Sequence, residues 1–251
     1  FSIIVVFVVV AAIIDPRFMT IDSWRAVFLA IPLILVMAMG QMMVIICRHV
    51  DISIGSILAF SAIVIGLLYI QFPGLSLWLS LIITAFVGLV MGLINGFIVT
   101  RFNVHSIIVT LGTLSLYRGL VFIVSGGRQI DRNDIPEHVV SFSQTSFLFS
   151  IPAILIFSAI IVIITYLVMR HSVLGREIYA TGSNPVAAHL KGINVTKVTL
   201  FCFGVCGMLA GVAGLFYASR FGYVNPGVTG VGIEFIVIAG VIIGGTSITG
   251  G

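Results

Sequence analysis

Charge is what this sequence has least of. Charged residues make up 8% of the chain, where a soluble domain carries about 25%, so there are too few ionised groups to cover a water-exposed surface. With 60% hydrophobic residues and a mean hydropathy of +1.27, the solvent to expect is lipid. Signatures of bond-making chemistry are missing as well. There is no Gly-x-x-x-x-Gly-Lys-Ser/Thr phosphate loop and no His-Glu-x-x-His. Residues 245–250 resemble a nucleophile elbow only loosely, with the second glycine displaced by one position. No acid, base and nucleophile fall together in one apolar run, which argues against an enzyme, although transporter, channel and membrane enzyme all stay open on the residues alone. Cysteine is scarce: Cys202 and Cys206 share a helix face and Cys47 stands alone, which leaves a structural zinc site short of ligands. All three read as small buried hydrophobes, and no metal is expected. A net charge of +4 and a pI near 9.2 would suggest nucleic acid in a soluble protein. Here the cations sit mostly at the ends of apolar runs, as orientation signals, and no nucleic-acid partner is expected.

What is present is a series of membrane-length apolar runs. Residues 1–14 fall short of the ~20 that cross a bilayer and carry no basic leader or small-residue cleavage site, so they read as a span with its start missing. The glycine-rich end reads as cut too. Between lie residues 27–47, 57–70, 75–100, 104–125, 147–169 and 198–218, with a shorter run at 231–245. The expected fold is all-α: a single polytopic transmembrane domain over 1–251, about eight spans in all. Pro32 falls near the start of its run, where it is tolerated. Met37, Met39, Met42 and Met43 read as adaptable packing. Gly88, Gly92 and Gly96 recur every four residues and let another helix approach closely; Gly207 and Gly211, with Ala210 and Gly214 alongside, repeat the pattern. Asn95, beside the first stripe, needs a partner inside the bundle.

Two stretches interrupt the runs. Residues 48–56 are too polar for lipid contact and too short for a free loop, and such backbone is tolerated at membrane depth only where protein or water covers it. They read either as a tight turn, with Asp51 or Ser53 capping the next helix, or as an interrupted helix facing a central pathway. Asp51, Ser53, Asn95, Thr110, Thr113 and Arg118 are the pathway candidates. Arg118 lies about two turns from Gly126, so snorkelling to the headgroups is its first reading and a hydrated cavity its second. Residues 220–232, with four glycines, read as an outer loop or re-entrant turn. Glu234, just after them, suits the positive end of a helix.

Two polar islands set the orientation. Residues 126–146 mix Arg128, Asp131, Arg132, Asp134, Glu137 and His138, which favours the outside. Residues 170–197 set Arg170, Arg176, Lys191 and Lys197 against Glu177 alone, which favours the cytoplasm. Arg48 and Arg101 fall on the same side by this count, Arg17 and Arg25 on the other. Within the basic island, Ser183-Asn184-Pro185 reads as a helix start, a capping residue followed by Pro at the first helical position. Gly192 stops that helix after about two turns. A short helix laid across a cytoplasmic loop is a shape that a partner can push on.

Read together, these segments resemble the ribose-type sugar permeases of bacterial ATP-binding-cassette importers, in the branched-chain amino acid/monosaccharide permease family. Asp51-Ile52-Ser53-Ile54-Gly55-Ser56 is similar to the family's Asp-Leu-Ser-Val-Gly-Ser stretch. Asn95-Gly96, Ile107 to Thr113 and Tyr117-Arg118-Gly119 resemble the next block. Gly175 to Asn184, Ala187-Ala188 and Gly192 to Val195 resemble the cytoplasmic loop, and Gly244 to Gly251 the closing glycine block. The chain departs from the pattern at Arg48-His49, where the family often has Gly. The resemblance implies about ten spans in the full fold and transport of a monosaccharide (ribose, xylose or rhamnose) or autoinducer-2 by alternating access. It implies a bacterial cytoplasmic-membrane location, a second permease subunit, an ATPase subunit that binds the ATP, and a periplasmic or lipid-anchored sugar-binding protein, with no cofactor on this chain. Gly175, Arg176, Asn184, Pro185, Ala187, Ala188 and Gly192 become the coupling loop to the ATPase. An ion-coupled secondary transporter is the alternative.

Overall fold

The computed structural model describes residues 2–144, 146–148 and 151–250. Among them eleven helices follow in order: α1 (Ser2–Ile14), α2 (Ile21–Ile46), α3 (Ile54–Gln71), α4 (Leu77–Phe102), α5 (Ser106–Ser125), α6 (Glu137–Gln144), α7 (Ala153–His171), α8 (Val173–Ser183), α9 (Pro185–Leu190), α10 (Val195–Phe221) and α11 (Ile233–Ile243). A small hairpin of β1 (Ser146–Leu148) and β2 (Ile151–Pro152) precedes α7. Six helices are long and apolar enough to cross a membrane; α1 and α11 supply two shorter apolar ones. The all-α bundle expected from the apolar runs is the fold observed.

Ends of helices follow local chemistry. Thr20 and Ser76 accept the backbone N–H of Ser23 and Leu79 to start α2 and α4, satisfying donors that a helix start leaves orphaned. Two boundaries differ from expectation. Because Thr20 caps α2 six residues before its apolar window opens at Ala26, Pro32 lies inside a continuous helix rather than at its start. The run beginning at residue 147 enters its helix only at Ala153, since the hairpin occupies the first residues and Pro152, which has no N–H to place in a helix, stands as the cap.

The axis of the bundle is α10. Its apolar window is 78% buried, against 22% for α7, so α10 runs through the protein interior while most of α7 faces outward. The two glycine stripes meet here. A Cβ on Gly88 would stand 2.1 Å from the Gly207 carbonyl oxygen, and one on Gly92 2.2 Å from that of Phe203. The backbones of α4 and α10 therefore touch with no side chain between them, the contact that small residues permit between helices in lipid. On its other faces α10 is approached nearly as closely by α2, at Gly40 against Cys206, and by α3, at Leu58 against Gly214.

Past Gly222 the chain does not span again as one helix. Val224 pairs with Ile130 in an isolated bridge. Residues 225–232 then turn inward until the Gly230 carbonyl meets Gly55 near the start of α3. From there α11 covers only eleven residues. This inward course suits the re-entrant reading of 220–232, in which irregular backbone is kept tolerable by protein around it.

The two ends of the bundle differ in how their cations are held. One end carries Arg48, Arg101, Arg170, Arg176, Lys191 and Lys197, with Glu177 as the only acid beside them among the described residues. The other sets Arg17, Arg128, Arg132 and Arg220 among Asp15, Asp131, Asp134 and Glu137. There Arg128 pairs with Asp134 at 3.5 Å and Arg132 with Glu137. Among the described residues no ion pair forms at the basic end.

Candidate functional site

Between α2 and α3 the chain leaves helical geometry at Arg48, whose φ of 65° is one of two positive values outside glycine among the described residues. This is the left-handed region, which an L side chain occupies at a cost of about 1–2 kcal/mol. It accounts for the family pattern's glycine at this place. Here the arginine is anchored: its Nη2 donates to the Ser183 carbonyl at the end of α8, 2.6 Å away. The residue before it, Cys47, packs its sulfur against that of Cys202 at 3.5 Å. All three cysteines are buried and free, as expected of small apolar side chains.

Three residues on, the chain enters a closed polar cluster. Asp51 Oδ1 accepts the Ser53 hydroxyl at 2.7 Å and the Ser53 N–H at 2.9 Å. Asn95, from α4, donates through Nδ2 to Asp51 Oδ2 at 3.2 Å and to Ser53 Oγ at 2.8 Å. Tyr117, from α5, donates to the Met91 carbonyl at 2.9 Å, with Asn95 Oδ1 3.2 Å away. Gln41, from α2, stands with its side-chain amide 3.2 Å from both the N–H and the carbonyl of Asp51, and pairs with both when its oxygen is assigned toward the N–H. Gln41, Asp51, Ser53 and Asn95 have no exposed surface at all. Burial drives the Asp51 carboxyl above its ordinary range, and the bonds from Ser53 and Asn95 oppose that only in part. Ser53 occupies the cap position of α3 without capping it, because its hydroxyl is committed to Asp51.

The sequence candidates divide in space. Asp51, Ser53 and Asn95 meet directly. Thr110 touches the same loop more weakly, 3.4 Å from the Val50 carbonyl, while Ser106 accepts the Val50 N–H at 3.1 Å. Thr113 turns its hydroxyl back to the Thr110 carbonyl. Arg118 lies apart. In place of snorkelling, its first reading, its Nη1 donates to the Thr229 carbonyl at 2.6 Å, which the inward turn of 225–232 brings within reach. Glu234 occupies the first turn of α11, 7% exposed, with Oε2 unpartnered and pressed against Gly55. Gln41 was not foreseen. A lone amide in an apolar run was the available signal, since such a group needs a partner in the bundle.

At the basic end, the island expected to hold one short helix holds two. Ser172 caps α8 through the Gly175 N–H at 3.0 Å. A Cβ on Gly175 would fall 2.2 Å from the Met169 carbonyl, so only glycine admits the sharp bend from α7. Gly175, Ile178, Thr181 and Gly182 form the buried face of α8, a three- and four-residue spacing present in the sequence but not picked out there. Asn184 Oδ1 accepts the N–H groups of Val186 and Ala187 at 3.1 and 3.0 Å to start α9, with Pro185 at its first position. Gly192, at φ 84°, follows its end. Ala188 is buried beneath α9, whereas Val186 and Leu190 are 70% and 82% exposed. Arg176 is exposed and lies on the side of α8 nearest α7.

The arrangement can position and transmit, and nothing in it pairs a nucleophile with a base. Arg48 links the end of α8 to the break between α2 and α3, and three residues later that break is bonded to α4 and, through Asn95, to α5. Comparison with known proteins decides the lineage. The family described as branched-chain amino acid transport system, permease component, matches residues 25–251. The chain belongs to that family. Curated relatives of this chain include the autoinducer 2 import system permease proteins LsrC of Yersinia enterocolitica, 34% identical over 95% of this chain and 65% of the relative, and of Yersinia pseudotuberculosis, 33% identical over 95% and 66%. The LsrC protein of Yersinia pestis is likewise 33% identical over 95% and 66%. The chain thus spans just under two thirds of the length of these relatives. No solved structure matches it.

Proposed function

We propose that this chain is the membrane-spanning permease subunit of an ATP-driven importer in the bacterial cytoplasmic membrane, moving a monosaccharide or a related sugar-like molecule such as autoinducer-2 by alternating access. The observation that carries this is α9. It is capped at its start by Asn184 and rests on buried Ala188, and it turns Val186 and Leu190 outward, almost bare, at the end where no cation forms an ion pair among the described residues. Exposed apolar side chains at the water-facing end of a membrane protein suit a protein partner, here an ATPase subunit that binds and hydrolyses the nucleotide. Basic segments between spans favour the cytoplasm, where that partner would be.

Movement of α9 would reach the bundle through α8 and the Arg48–Ser183 bond, which ends three residues from the Asp51 cluster. Asp51, Ser53, Asn95, Thr110, Thr113 and Arg118 would then line or control the path once the helices around the cluster part. A second permease subunit would complete the pore, and a periplasmic or lipid-anchored binding protein would deliver the solute and set selectivity. The similarity to LsrC permeases supports a sugar-like cargo. The test is co-purification of the full-length permease with its ATPase subunit. Val186→Glu and Leu190→Glu, both at exposed sites, should release the ATPase while the permease still inserts. Retention of the ATPase by the doubly substituted protein would refute the coupling role of α9.

A further inference from the structure

A groove of about 540 Å³ runs between α2, α7 and α8 at the basic end, within the range of about 300–1,000 Å³ usual for sites that hold small molecules. Its wall is apolar: Met39 and Met42 from α2 face Val162 and Met169 from α7. Its mouth is different. Arg170 and Arg176 stand there with Tyr166 and Tyr179. Arg170 donates to the Tyr166 hydroxyl and lies over that ring, 5.6 Å from its centroid. Neither arginine is paired with a carboxylate among the described residues, and Glu177, next to Arg176 in sequence, does not line the groove.

We propose that this groove binds an anionic phospholipid, with the phosphate headgroup on Arg170 and Arg176 and an acyl chain laid along the methionines. Three observations converge on that occupant. The groove opens on α7, the long helix least buried among the described residues, whose bare face carries Ile160, Ile163, Ile164 and Leu167, side chains suited to lipid. Its cations cluster where α7 leaves its apolar run and bends into α8, which is headgroup level, and basic pockets between spans at the cytoplasmic side take anionic lipid headgroups. The tyrosines between wall and mouth have the mixed character that settles at the membrane interface. Methionines form a wall that adapts to a flexible chain. A lipid seated here would touch α2, α7 and α8 together, bracing the bend at Gly175. The assignment rests on the cytoplasmic placement of α8 proposed above, but its readout requires neither transport nor ATPase.

The experiment is native mass spectrometry of the full-length permease, purified in detergent and titrated with phosphatidylglycerol or phosphatidylcholine. The intact protein should retain phosphatidylglycerol in preference to phosphatidylcholine. Arg170→Gln with Arg176→Gln should weaken phosphatidylglycerol retention about 25-fold, or about 2 kcal/mol, from about 1 kcal/mol per cation at the membrane surface. Phosphatidylcholine retention should not change. Met42→Trp, which fills the groove and leaves the charges, should displace the lipid as well. Undiminished phosphatidylglycerol retention by the double variant would overturn the proposal. So would dimers that dissociate in the double variant with no change in bound lipid, since the occupant would then be a second copy of the chain.

Discussion

Gly88→Ala tests the contact on which the bundle is built. The added methyl would stand 2.1 Å from the Gly207 carbonyl oxygen and 2.8 Å from the Gly211 nitrogen, where ordinary contact begins near 3.4 Å. Both obstacles are backbone, so no side chain can rotate away, and α4 and α10 must separate by on the order of an ångström in a close-packed interior. Overpacking of this kind costs about 1–3 kcal/mol. It is opposed by the helix preference of alanine over glycine, up to about 1 kcal/mol. The separation also loosens the neighbouring contacts of Gly92 with Phe203 and of Gly211 with Thr84, so the net effect stays destabilising by about 1–2 kcal/mol. For a chain of this size that lowers the unfolding midpoint by about 2–8 °C. The control is Gly112→Ala in α5, where no atom lies within 4 Å of the new methyl and only the helix preference acts. Thermal unfolding in detergent, followed by size-exclusion of the surviving monodisperse protein, reads both. A Gly88→Ala protein as stable as Gly112→Ala would show that the two backbones do not touch.

Other outcomes follow from the same geometry. Asn95→Leu strands Asp51 Oδ2 and Ser53 Oγ and removes a neighbour of Tyr117, and should destabilise by about 1–3 kcal/mol per orphaned group in the same thermal assay; an unchanged midpoint would mean the cluster is not closed. His49 is held down to about 4, mainly by burial and further by His105. Its folded form therefore resists the proton that the unfolded chain takes up near pH 6.5. The stability it contributes is whole above pH 6.5 and is lost as pH falls toward 4, on the order of 2–3 kcal/mol. His49→Phe, which keeps the packing on Phe203, should flatten that slope. The difference between the two proteins separates His49 from Asp51, whose raised carboxyl acts with the opposite sign. Asn184→Ala removes the acceptor for two N–H groups and should weaken α9 by about 0.5–2 kcal/mol, seen as faster amide exchange at Val186 and Ala187. Arg118→Gln releases the Thr229 carbonyl and should raise thiol labelling of a cysteine placed at Thr229 severalfold.

Much of this was legible beforehand because lipid imposes simple rules on sequence. Length and hydropathy marked the spans. The Asn184-Pro185 start and the Gly192 stop of α9 were written in capping chemistry, which acts over a few residues. The glycine stripes announced a close contact, although nothing in either stripe named the other as its partner. What stayed hidden depended on residues far apart in the chain. Gln41 meets Asp51 only because α2 and α3 both pack on α10, Tyr117 meets Asn95 only because α5 packs beside α4, and Arg118 finds Thr229 only because the chain after Gly222 turns inward. The helix α8 escaped because its buried face uses two glycines and a threonine, which carry little hydrophobic signal. Pro32 was misjudged because the polar residues ahead of it hid how far back the helix runs.

A joint between bare backbones has no rotamers to give, so α4 and α10 form a weld rather than a bearing. Rearrangement of this protein must therefore carry that pair as one rigid body and find its freedom elsewhere. Two seams are available inside the bundle, where the chain abandons helical geometry at Arg48–Ser53 and along 222–232, and they meet at Gly55, which follows the first and touches the Gly230 carbonyl of the second.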